Sequence, residues 1–150
     1  MLVVGEIVKM SFWNKEQKSK DETKLIEKDI GFVEDAFEMC KDMIAFEGHS
    51  LGNFMETEDE RFLEEMSWMR KIRTHYLNLI AKSEISQDWC RSKHLCRIAM
   101  GLQELCTRFL SIGDIESAKK CAVDARDIYF KFLKINGYKE EDAKVSKSSA

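Results

Sequence analysis

Residues 109–125 read FLSIGDIESAKKCAVDA and mark the end of one helix and the start of the next. Gly113 suits the left-handed conformation at a helix C-terminus, and Asp114 suits the N-cap of a following helix. Apolar residues recur on both sides of this turn at spacings of three and four residues, as they do along one face of a helix. The stretch therefore predicts two helices, over residues 86–111 and 115–135, joined as a hairpin.

Two more helices are predicted upstream of this hairpin. Ser19 with Glu22 has the spacing of a capping box, and an apolar stripe at spacings of four and three follows it: Ile26, Ile30, Val33, Phe37, Cys40 and Ile44. We expect a helix over residues 20–47, ended by the sequence GHSLGN at 48–53. Thr57 with Glu60 repeats the capping-box spacing and predicts a second helix over residues 58–82.

The elements combine into one fold class. Ser83 or Ser86 is a candidate cap for the third helix, and the sequence NGY at 136–138 is typical of a stop after the fourth. Proline is absent from all 150 residues, so the strongest helix breaker is missing. Because short connections join antiparallel neighbours, we predict an all-α antiparallel bundle of four main helices.

Composition limits the classes of function. The chain is 44% hydrophobic and 34% charged, has a formal net charge of −3, and contains no apolar run near the ~20 residues that span a bilayer. We expect no membrane insertion, and no basic face supports nucleic-acid binding. Five cysteines inside helical patterns, without a secretory signal, predict reduced thiols and a cytoplasmic protein.

The termini are predicted to lie outside the bundle domain, which we assign to residues 19–138. Residues 1–18 form an N-terminal arm in this interpretation. Met10 offers a second start, so residues 1–9 are either a leader of a prokaryotic gene or a short β-branched strand. Residues 139–150 are polar and are expected to be a mobile tail.

The C-terminal hairpin resembles a single tetratricopeptide repeat over about residues 99–132. Large apolar residues precede a Gly-Asp turn, and small residues follow it: Leu102, Leu105, Phe109, Gly113, Asp114, Ala118 and Ala125. Cys106, Ala122 and Phe130 depart from the repeat's small, aromatic and proline positions, and no second copy occurs upstream. The resemblance implies a protein-binding hairpin within a bundle, since a repeat array needs about three units.

Protein–protein interaction is therefore the predicted function, either as a binding module or as a small subunit of a larger assembly. The first helix has an apolar seam narrower than an ordinary core face, which favours a homodimer. Trp68 and Trp89 lie beside the apolar stripes, and each is either a partner-binding residue or a cap on the end of the bundle. No cofactor motif is present, so no cofactor is expected.

Two chemical alternatives remain open at this point. Arg70 and His75 have the Arg-x4-His spacing of HEPN-type helical ribonucleases, which the segment resembles. That resemblance implies charge stabilisation by the arginine and proton transfer by the histidine. Cys90 and His94 lie one helical turn apart with Cys96 nearby, and these three residues are candidate zinc ligands, although a fourth ligand is not evident.

Overall fold

The computed structural model describes residues 30–139, and within them the chain is all-helical. The helices are α1 (Ile30–Thr57), α2 (Arg61–Ile80), α3 (Asp88–Ser111) and α4 (Ile115–Ile135). They form two hairpins, α1/α2 and α3/α4, and α1 also packs against α3. The prediction of an all-α bundle is confirmed. Several predictions fall outside the described residues: the N-terminal arm, the capping box at Ser19 and Ile26 of the first predicted helix, and the tail from 140 onward.

The first helix is ten residues longer at its C-terminus than predicted, since it ends at Thr57 rather than at residue 47. Gly48 and Gly52 lie inside it and neither adopts positive φ. The chain leaves the helix at Glu58, whose φ is 56°. An isolated glycine weakens a helix by roughly 1 kcal/mol relative to alanine but does not end it, so the prediction of a stop at 48–53 was wrong.

The caps at the start of α2 and α3 also differ from the predictions. Thr57 forms no capping box, and Asp59 instead accepts a hydrogen bond from the Arg61 amide at 3.0 Å. Before α3, Ser83 accepts from the Ile85 amide and donates to the buried carboxylate of Asp88 at 2.6 Å. The α2/α3 connection is therefore fixed by side-chain bonds within the loop rather than by an N-cap serine.

The turn between α3 and α4 is confirmed as the sequence predicts. Gly113 has φ 77°, and Asp114 caps α4 by accepting hydrogen bonds from the Ser117 amide at 3.0 Å and from its hydroxyl at 2.7 Å. Those hydrogen bonds lower the pKa of the Asp114 carboxyl. Ala118 is buried behind the cap, so the two helices can approach closely there.

The hydrophobic core lies at one end of the bundle. Its buried cluster uses the first half of α1, the end of α2, the first half of α3 and the end of α4: Val33, Ala36, Phe37, Cys40, Leu77, Ile80, Cys96, Ala99, Tyr129, Phe132 and Leu133. Phe37 packs on Tyr129 and Phe132 with ring centroids 5.0 Å apart in both pairs. We call this the sealed end. The opposite end, where the α1/α2 and α3/α4 turns lie, is the open end.

The residues that follow α4 form hydrogen bonds that link the helix ends at the sealed end. Asn136 donates to the Ser92 hydroxyl at 3.0 Å and accepts from the Ser83 amide at 3.2 Å. Tyr138 donates its hydroxyl to the Ile80 carbonyl at 2.8 Å, which satisfies a backbone acceptor at the end of α2. The predicted stop at 136–138 is confirmed, with Gly137 at φ 77°. One short segment thus joins the ends of three helices.

Candidate functional site: a groove between the two hairpins

The core-facing stripe of α1 becomes progressively exposed toward the open end. Phe37, Ile44 and Leu51 follow one another at seven-residue intervals, which keeps them on one face of the helix. Phe37 is 1% exposed, Ile44 is half-buried, and Leu51 is 39% exposed. Met55, one turn beyond Leu51, is also exposed. The face that packs on α3 and α4 at the sealed end therefore faces solvent at the open end.

The facing stripes of α3 and α4 show the same gradient. On α3, Leu110 lies fourteen residues beyond Cys96, and exposure rises from 0% to 51%. On α4, Ile115 lies fourteen residues before Tyr129, and exposure rises from 9% to 49%. The facing sides of α1, α3 and α4 thus all become exposed at the same end of the molecule. We use the name groove for the apolar surface that these exposed stripes form at the open end, and we define it by Ile44, Leu51 and Met55 of α1, Leu110 of α3, and Ile115 and Ala122 of α4.

The groove begins where the facing side chains become polar or are missing. Lys41, which is buried, donates to Gln103 of α3 at 3.1 Å and to Glu38 at 2.8 Å. About two and three turns further along α1 the residues are Gly48 and Gly52, and a Cβ built on either glycine meets nothing within 4 Å. Because no side chain fills this space from α1, no apolar contact draws α3 closer. The Lys41–Gln103 hydrogen bond marks the boundary between the packed part of the two hairpins and the groove.

A buried ion pair holds α2 on the other side of α1. Arg73 donates from Nε to Glu47 at 2.6 Å and from Nη2 at 3.0 Å, and both side chains are buried. The third nitrogen, Nη1, is buried without a hydrogen-bond partner. Charged groups so far from water lose much hydration, and only close bidentate geometry offsets that loss. The pair therefore fixes the register of α1 on α2 beside the groove.

Carboxylates are concentrated at the tip of the α1/α2 hairpin, which lies at the open end and directly follows Met55 of the groove. Residues 56–65 contain six acidic side chains and a single base, Arg61. The base pairs with Asp59, its Nη2 lying 2.7 Å from Oδ2, and this contact lowers the pKa of the carboxyl. The remaining five make no ion pair with any described residue: Glu56, Glu58, Glu60, Glu64 and Glu65. This end of the molecule is strongly negative beside an apolar surface.

The tryptophans predicted to bind a partner lie in different environments. Trp68 is exposed on the side of α2 that faces away from the groove. Trp89 is half-buried against the core, and its indole N–H donates to the Asn78 side chain at 2.6 Å. Trp89 has therefore satisfied its polar group inside the fold, whereas Trp68 has a large surface available for contact.

Arg70 and His75, the residues of the ribonuclease hypothesis, are both exposed on the uninterrupted helix α2. A five-residue separation on a straight helix turns them about 140° apart. Within one chain they therefore do not point into a common cleft. The His75 ring makes an edge contact with Tyr76, with centroids 4.9 Å apart. An open depression of about 230 Å³ on α4 has other residues along its walls: Asp127, Phe130, Lys131 and Lys134.

The zinc hypothesis involves residues that the fold places apart. Cys96 is fully buried in the core, whereas Cys90 and His94 are exposed. Burial raises the pKa of Cys40 to about 11 and raises that of Cys96 as well, so both remain neutral thiols at physiological pH. All five cysteines are unpaired, and residues 30–139 contain no group of three or more His, Cys, Asp or Glu side chains placed to hold a metal.

Sequence reasoning missed the groove because an apolar stripe at helical spacing does not show which part of it another helix covers. Ile98 and Leu105 follow the spacing of the apolar residues predicted for α3, yet both are exposed. The signal that could have revealed the opening was the pair of glycines in GHSLGN, on the face that continues the seam of α1. Glycines there remove the side chains that would have packed against α3.

Comparisons of the chain with protein-family models, curated proteins and solved structures found no match. None of the four helices in residues 30–139 is long and apolar enough to cross a bilayer.

Proposed function

We propose that this protein is a non-enzymatic protein-interaction module and that the groove is its binding surface. The observation that carries the proposal is the shared exposure gradient along α1, α3 and α4. Each stripe is buried at the sealed end and continues in register to apolar residues that are 39–51% exposed at the open end. An exposed apolar surface shared by three helices is typical of a site that another protein covers.

The proposal is supported by the absence of a catalytic arrangement among the described residues. Arg70 and His75 diverge around one helix, and the two most buried thiols remain protonated. The charged side chains that are buried are engaged with neighbouring side chains, as in the Glu47–Arg73 and Lys41–Gln103 contacts. Groups held in this way stabilise the helix packing and are not available for proton transfer to a substrate.

Site-specific photo-crosslinking in cells of the native organism tests the proposal. A photoreactive amino acid is placed at Leu51 or Leu110, on two different helices of the groove, and at Phe46 as the control. Phe46 is also 39% exposed but lies on another face of α1. We expect the same crosslinked protein from both groove positions and not from Phe46. No product from either groove position, or equal products from all three, would overturn the proposal.

Trp68 provides a separate comparison in the same experiment. A crosslinker at Trp68 that captures the same protein would show that the exposed face of α2 belongs to the interface as well. Capture of a different protein at Trp68 would indicate a second surface. Neither result at Trp68 decides whether the groove binds the partner, because that conclusion depends on the crosslinks from Leu51 and Leu110.

A further inference from the structure

We propose that the partner segment is a basic amphipathic helix. This inference rests on the proposed function and adds the chemistry of the partner. It is carried by two independent features that meet at the open end, the apolar groove and the unpaired carboxylates at the tip of the α1/α2 hairpin.

The negative charge at the tip of the α1/α2 hairpin favours a positively charged partner. Five glutamates between residues 56 and 65 have no ion-pair partner among the described residues, and α1 has no basic residue in its last turn. The C-terminus of α1 adds about half a negative charge, whereas the N-terminus of α2 offsets at most one carboxylate. Lysine or arginine side chains on a bound segment would meet this field, while acidic segments would be repelled.

The length of the groove along α1 matches a short helix. Its α1 wall runs from Ile44 to Met55, and eleven residues of α-helix extend for about 16 Å. A partner helix of three turns matches this length and presents apolar residues at i, i+3 or i+4, and i+7. Gly48 and Gly52 face open space on this wall, so the backbone of a bound helix can approach α1 closely.

A second copy of the chain fits the groove less well. Inserting the α1/α2 tip of one molecule into the groove of another would place its carboxylates against those at the second molecule's tip. Like charges in such proximity oppose association. We therefore assign the groove to a different protein and expect the isolated chain to sediment as a monomer.

Two synthetic peptides test the partner class with the full 150-residue chain. Both have the same three-turn pattern of leucines, and their polar faces contain either lysine or glutamate. We expect the lysine peptide to bind at least ten-fold more tightly by isothermal titration calorimetry, with an affinity that falls as salt rises from about 50 to 500 mM. Equal or tighter binding of the glutamate peptide would overturn the inference.

Variants identify the surface that the lysine peptide uses. Leu51→Glu should weaken binding at least ten-fold, whereas Phe46→Glu, an equally exposed substitution on another face, should leave it unchanged. Glu56→Lys combined with Glu58→Lys should remove most of the preference for lysine over glutamate. Circular dichroism melts verify that each variant is folded. Equal losses for Leu51→Glu and Phe46→Glu would show that the peptide binds elsewhere.

The outcomes separate this inference from the proposed function. Crosslinking at Leu51 and Leu110 with no binding of the lysine peptide would refute the basic helix and leave the binding module intact. Sedimentation as a dimer that Leu51→Glu dissociates would show that a second copy occupies the groove, and would also refute the basic helix. Absence of crosslinking at both positions would refute the module itself.

Discussion

Replacing Arg73 with methionine removes one half of the ion pair that α1 and α2 share. The carboxylate of Glu47 would then remain buried without the two bonds it now accepts, at 2.6 and 3.0 Å. Breaking a buried pair from one side typically destabilises a protein by about 3–5 kcal/mol, because the remaining charge is neither hydrated nor paired. We expect Arg73→Met to lower the free energy of unfolding by that amount.

Replacing both partners should have a much smaller effect. In the double variant Glu47→Met, Arg73→Met no charge remains buried at this contact between α1 and α2, and the orphaned Nη1 group of the guanidinium is also removed. Apolar replacements of buried ion pairs range from neutral to more stable by about 1–4 kcal/mol. We therefore expect the double variant to be at least as stable as the wild type within about 1 kcal/mol, and a coupling energy of about 3 kcal/mol or more from the cycle.

Urea unfolding followed by circular dichroism at 222 nm measures these differences. With a slope of about 2 kcal/mol per molar urea, the Arg73→Met variant should unfold at a midpoint about 1.5–2.5 M lower than the wild type. Arg61→Met is the matched control, since Arg61 makes a similar contact with Asp59 but is largely exposed, and its midpoint should move far less than that of Arg73→Met. The reasoning fails if both arginine variants lose the same amount, or if the double variant loses the sum of its single changes.

Three further substitutions test other parts of the fold by the same urea assay. Tyr129→Phe removes a buried hydroxyl that has no hydrogen-bond partner, so the free energy of unfolding should stay level or rise by about 1 kcal/mol, and a loss above 1 kcal/mol would show a missed partner. Asn136→Ala strands the Ser83 amide and the Ser92 hydroxyl, and should lower it by about 2–4 kcal/mol; an unchanged midpoint would contradict the tie at the sealed end. Asp114→Ala should reduce stability most above about pH 4, because hydrogen bonds lower the pKa of Asp114 in the folded state and the benefit of its charged form disappears as pH falls through that lowered pKa; a wild-type advantage that is the same at pH 6 and pH 2 would refute this.

The parts of the fold that depend on local chemistry were predictable from the sequence. Gly113 and Asp114 define their turn through a left-handed φ and a side-chain cap, and both effects depend on adjacent residues alone. The seam residues Val33, Phe37 and Cys40 are buried because spacings of four and three keep them on one face.

The parts that depend on what lies across the bundle were not predictable. Leu105 has the same periodicity as its less exposed neighbours, yet it is exposed because no helix within residues 30–139 covers that side of α3. The buried Glu47–Arg73 pair joins residues 26 positions apart, and each reads as an ordinary surface charge in the sequence. Periodicity indicates which residues share a face, but only the packing decides whether that face is covered.

The second half of α1 shows how one helix can be both stable and available for binding. Two glycines in its interior reduce helix stability by roughly 1 kcal/mol each relative to alanine, and its groove-facing side gains nothing from α3. The helix nevertheless continues to Thr57, because Glu47 and Ser50 are buried on the side of α1 that packs against α2. On that side Glu47 forms its ion pair with Arg73. Packing on α2 therefore supports this half of α1, so the groove-facing side is not needed to hold the helix in place; under the proposed function it is the side that the partner covers.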